Sequence, residues 1–90
     1  KIKDVRVSEG SLTSSLVHPR EVFNPIIRES AAAVVLIHNH PSGDPTPSQE
    51  DLHITRRLRD VGDVMGVRVL DHLIIGRGKY ISFVDDGYWD

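Results

Sequence analysis

Residues 38–51 read HNHPSGDPTPSQED: two imidazoles one residue apart, a proline-rich bend, then a serine three residues before an aspartate. Two imidazole nitrogens and one carboxylate oxygen suit Zn²⁺, and a fourth position left to water marks a catalytic rather than a structural site. Strand side chains repeat every two residues, so His38 and His40 project together if the strand continues past Ile37. Asp51 falls one turn inside the next helix, three residues before Ile54, and so faces inward. The loop between is short enough to return that carboxylate to the imidazoles. The expected centre is one Zn²⁺ on His38, His40 and Asp51, with water as the fourth ligand.

Two other readings bear on these residues. Asp44 is a rival ligand, because H-x-H followed by a nearby aspartate also occurs in two-metal hydrolases; the complete serine–aspartate spacing favours Asp51. Ser48 and Asp51 also match the capping box S-x-x-D, although glutamate or glutamine is the usual partner. Capping by Ser48 and a metal site can coexist. Capping alone does not explain why both imidazoles leave an apolar run immediately before it.

The elements that must position these groups follow from periodicity. KIKDVRVSEG alternates apolar and charged residues and predicts an edge or half-buried strand over residues 1–8, ended by Gly10. Such an edge could pair with a second copy, giving a homo-oligomer. After the hydroxyl-rich SLTSSLVHP, Pro19 suits the first turn of a helix through REVFNPIIRES, with Val22, Phe23, Ile26 and Ile27 on one face. Pro25 predicts a kink or an early break.

AAAVVLI predicts a fully buried strand, since the run is uninterrupted and then β-branched. PSGDPTP is stiff and loses little entropy on ordering. SQEDLHITRRLRDVGDVMG predicts the strongest helix, with Ile54, Leu58, Val61 and Met65 at helical spacing. VRVLDHLIIG and KYISFVD predict two closing strands joined through Gly76–Gly78. Strand, helix, strand, helix, strand, strand is an α/β domain with a mixed sheet flanked by helices.

Composition narrows the function classes. Ninety residues make one small domain, and a start without methionine suggests a C-terminal fragment of a longer chain. Net charge is −2, which gives no general attraction for nucleic acid or anionic membrane. The cluster Arg56, Arg57 and Arg59 reads as a solvated helix face. Absent cysteine excludes disulfides and thiolate metal sites and suits a reducing cytoplasm. The longest apolar run, residues 31–37, cannot span a bilayer, and no leader opens the chain.

The string H-x-H-P, six residues, S-x-x-D resembles the metal signature of the JAMM (MPN-plus) metallopeptidases at every defined position. HPREVF, AAAVVLIHNHPSGDPTPSQED and LDHLIIG are closer still to bacterial RadC-type proteins, over roughly residues 10–83. The resemblance implies a fold related to the cytidine deaminases, Zn²⁺ on His38, His40 and Asp51, and a Ser48 hydroxyl that helps hold an oxyanion. It implies cleavage of peptide or isopeptide bonds, commonly with removal of ubiquitin-like modifiers. It also brings the label of DNA repair and an N-terminal helix-hairpin-helix segment, which is not among these ninety residues.

Such chemistry needs a glutamate to move a proton from water to the leaving amine. Many relatives carry it five residues before the glycine that matches Gly10, and Val5 stands there. Glu9 has the same strand parity and is the candidate. Asp71 and His72, in LDH before LIIG, could orient a ligand histidine or form a buried structural hydrogen bond. His18, Arg20 and His53 have surface or helix-start readings only.

The first functional expectation is a zinc metallopeptidase of the JAMM type acting on a peptide or isopeptide-linked protein. The alternative is a non-catalytic DNA-repair or recombination accessory with a structural metal, binding nucleic acid only through the full-length protein. Base deamination is disfavoured, because the zinc deaminase pattern requires cysteines. No Gly-rich phosphate cradle or acidic two-metal cluster supports a phosphatase or nuclease.

Overall fold

A computed structural model describes residues 19–89. The strand expected over residues 1–8, Val5, Glu9, Gly10 and His18 lie outside the described residues. Within them the order is α1 (Pro19–Arg28), β1 (Ala33–Asn39), α2 (Gln49–Met65), β2 (Arg68–Ile75) and β3 (Tyr80–Ser82). β1 pairs in parallel with β2, and β2 antiparallel with β3, so the three-stranded sheet is mixed.

α1 starts at Pro19, where a missing N–H costs nothing. It also runs through Pro25, so of the expected kink or early break the break does not occur. The Pro25 carbonyl still accepts from the Glu29 N–H at 3.0 Å, so the helix continues past the ring. Val22, Phe23 and Ile26 are buried as expected, but Ile27 is 48% exposed; it lies about 100° around the helix from Ile26. α2 is fastened at its start by a capping box between Ser48 and Asp51 and stopped by Gly66 in the left-handed conformation. Ile54 and Leu58 are completely buried, Val61 packs against them, and Met65 in the last turn is half exposed.

These two helices meet over Val22, Phe23, Ile26, Ile54, Leu58 and Val67, with Val34, Leu36 and Val69 of the sheet against them. β1 therefore buries one face only. Val34, Leu36 and His38 alternate inward, while Val35 and Ile37 remain 45% and 69% exposed. That corrects the expectation of a fully buried strand: helices α1 and α2 cover one side of it, and the apolar run carries no signal saying which side.

β3 is also shorter than KYISFVD predicts. Asp86 Oδ2 accepts from the Ser82 N–H at 2.9 Å, and Ser82 Oγ accepts from the Asp85 N–H at 3.1 Å. Those side-chain bonds turn the backbone after Ser82. No helix among the described residues is long and apolar enough to cross a membrane.

Candidate metal centre

β1 carries His38 to its C-terminal end, and the parallel ladder continues one residue further, with the His40 N–H donating to Ile75 O at 3.0 Å. Both rings consequently leave the same face. Their centroids are 4.9 Å apart and nearly perpendicular. The capping box fixes Asp51 opposite them. Ser48 Oγ accepts from the Asp51 N–H at 3.1 Å, and Asp51 Oδ2 accepts from the Ser48 N–H at 2.8 Å. A carboxylate so held has little rotational freedom and is almost fully buried.

Each of His38, His40 and Asp51 offers one ligand atom within 4.8 Å of the others, and the three could hold a metal ion. Asp51 Oδ1 lies 3.6 Å from His38 Nδ1, and Asp51 Oδ2 lies 2.9 Å from His40 Nε2. Two ligands about 2.0–2.1 Å from zinc at a tetrahedral angle stand ~3.3 Å apart, between those distances.

The hydrogen-bond pattern of His40 supplies a second test. Its Nδ1 is 2.8 Å from the backbone oxygen of Asp44, and a carbonyl only accepts, so Nδ1 carries the hydrogen. In the neutral ring Nε2 is then a bare lone pair aimed at a carboxylate oxygen 2.9 Å away. Two acceptors at that distance require a proton or a cation between them. The donor set fits a divalent ion, and the N–H to carbonyl bond on the far side of the ring is the usual support for a ligating histidine.

The electrostatics favour ligation as well. Burial pushes the His38 pKa down; Asp51 opposes this and His40 adds to it. A neutral imidazole is the form that binds metal. His72 is pushed down to about 4, chiefly by burial. Asp44 contributes its carbonyl rather than its carboxylate. That carboxylate is exposed, accepts from the Thr46 N–H and hydroxyl at 3.0 and 2.7 Å, and is held below its ordinary pKa first by those bonds.

Ser48 is at the helix cap, its N–H donating to the ligand carboxylate at 2.8 Å. His72 is completely buried, its ring 6.0 Å from that of His38. Asp71 bonds across the hairpin: it accepts from the His72 N–H, the Ser82 hydroxyl and the Val84 N–H. His53 is exposed, as is Arg20. The Arg59 guanidinium sits 4.0 Å over the Trp89 ring, so the arginine cluster is partly occupied with packing.

Sequence reasoning missed two supports. The Asp44 carbonyl leaves no trace in residue identity. Thr55 does: it lies four residues after Asp51, on the same helix face, and its hydroxyl donates to Asp51 O at 2.7 Å. 

Comparison with known proteins agrees with the geometry. The family model of the RadC-like JAB domain matches residues 1–88. A UPF0758 protein of Geobacter sulfurreducens is 69% identical over 86 residues, which is 96% of this chain and 38% of the relative. A UPF0758 protein of Geotalea uraniireducens is 66% identical with the same coverage. One from Staphylococcus haemolyticus is 53% identical over 89 residues, 99% of this chain and 39% of its own length. The chain thus spans about two fifths of the length of the curated relatives it matches.

Proposed function

The chain belongs to the RadC-like JAB domain family, and from that premise we propose that it is the JAMM-type zinc metallohydrolase unit of a longer cytoplasmic protein, cleaving peptide or isopeptide bonds. The observation that carries the reading is the convergence of His40 Nε2 and His38 Nδ1 on the Asp51 carboxylate, at 2.9 and 3.6 Å, with His40 Nδ1 already turned to the Asp44 carbonyl. His38, His40 and Asp51 would hold the ion. When bound, zinc lowers the pKa of a coordinated water toward 7 and polarises a substrate carbonyl.

The chain's own residues supply the rest. Ser48 Oγ spends a lone pair on the Asp51 N–H, so its hydrogen stays available to donate to an oxyanion beside the centre. Asp44 O keeps His40 in the tautomer that ligates through Nε2. Glu9 is the proposed proton carrier between water and the leaving amine, and Glu9→Gln tests it.

The deciding experiment offers peptide and isopeptide-linked proteins to the zinc-loaded longer protein, with and without chelator, and to its His40→Ala variant. Cleavage should require metal and vanish in the variant. Cleavage indifferent to both would reject the reading. Stoichiometric metal without cleavage would leave the alternative, a DNA-repair accessory whose metal is structural.

A further inference from the structure

His72 lies on β2 in register with Leu36, fully buried between two rings. On one side is His38, 6.0 Å away and 29° from parallel; on the other is Phe83, at 4.6 Å and 28°. Its Nδ1 is 2.6 Å from Thr55 Oγ1. The single hydroxyl hydrogen of Thr55 is committed to Asp51 O, so this short contact needs Nδ1–H as the donor. A continuous chain results, from the β2 imidazole through the α2 hydroxyl to the backbone of a ligand residue.

The Nε2 atom of His72 is buried and makes no hydrogen bond. A bare buried polar atom costs about 1–3 kcal/mol, which an apolar ring of the same size would avoid. Stability is therefore not what the imidazole adds. What it does add is a place beside both halves of the centre: its ring stacks toward that of His38 on β1 at 6.0 Å, and its Nδ1 reaches the Asp51 turn of α2 through the Thr55 hydroxyl.

We propose that His72 and Thr55 are a positioning pair that sets the geometry of His38 relative to Asp51. The inference rests on those two residues being metal ligands. Neither member touches a substrate; they act on ligand geometry, to which metal affinity is sensitive by about 10–100-fold.

The test uses the whole chain with Thr55→Val, Thr55→Ser and His72→Phe. Zinc affinity is read by competition with a chromophoric chelator, and ligand geometry by the visible spectrum of the Co²⁺-loaded protein. Thr55→Val and His72→Phe should each weaken zinc about 10–100-fold and alter the Co²⁺ spectrum, while Thr55→Ser restores both. Wild-type affinity and spectrum in folded Thr55→Val or His72→Phe would overturn the pair's role.

Should the variants not fold, the wild type still decides. Nitrogen NMR should find the His72 hydrogen on Nδ1, and finding it on Nε2 overturns the proposal. A wild-type chain that binds neither metal defeats the centre itself and this role with it. A wild type that binds, with variants matching it, defeats the pair alone.

Discussion

Gly76→Ala probes how the β2–β3 turn holds the metal loop. Gly76 follows β2 directly, and the neighbouring Arg77 N–H donates to Gly43 O at 2.8 Å. A Cβ at position 76 would stand 2.7 Å from Pro45 Cδ and closer still to the Gly43 carbonyl oxygen. An ordinary carbon–carbon contact is ~3.5 Å, so the loop must retreat by about 0.8 Å. That is enough to carry the Asp44 carbonyl, now 2.8 Å from His40 Nδ1, beyond hydrogen-bond range.

The expected result is a stability loss of about 1–3 kcal/mol from overpacking, with zinc affinity lower by about tenfold or more. Urea unfolding and chelator competition measure the two. Gly78→Ala is the control. Gly78 has φ 68° but open space around its Cβ, so the change should cost about 1–2 kcal/mol of backbone strain and leave affinity intact. A Gly76→Ala protein with wild-type stability and affinity, or a Gly78→Ala protein that loses metal equally, would refute the clamp.

Ser48→Ala should lower stability by about 1 kcal/mol through loss of the cap, whereas Ser48→Gly should cost only a few tenths; chemical unfolding distinguishes them. If the hydroxyl also serves an oxyanion, both variants should cleave about 10²–10³-fold more slowly, and full activity in Ser48→Gly would remove that role. In metal-free protein, His72 favours its neutral form in the fold, so the unfolded chain takes up the proton first. The resulting penalty is absent above about pH 6.5 and grows as pH falls toward 4, to ~3 kcal/mol in total. The stability of wild type should thus fall more steeply over that window than that of His72→Phe, and equal slopes in unfolding titrations would contradict the assignment. Leu58→Ala, at a fully buried core position, should cost about 2–5 kcal/mol in the same assay.

The parts of the fold legible in the sequence are those set by local periodicity. The H-x-H parity and the S-x-x-D spacing each need only a few residues of regular strand or helix, and both imidazoles and the carboxylate meet as that spacing implies. The long amphipathic pattern of α2 is equally local. What escaped depends on neighbours far along the chain. Exposure of Val35 and Ile37 follows from which face the helices cover. The early end of β3 follows from how Asp86 and Ser82 bond once the hairpin exists.

Pro25 does not end α1, because a proline removes one donor yet leaves its own carbonyl usable. In the centre itself, His40 is oriented by a backbone oxygen, which any residue at position 44 would present. Thr55 and His72 are seventeen residues apart in sequence and meet only when β2 lies beside α2.

The most direct test is metal analysis of the purified chain together with X-ray absorption of the bound ion. One zinc per chain is expected, in a nitrogen- and oxygen-only shell that includes two imidazoles, with loss of that zinc in His38→Ala, His40→Ala and Asp51→Ala alike. A chain that retains no metal under zinc-replete conditions, or an Asp51→Ala variant that binds it as tightly as wild type, would contradict that expectation.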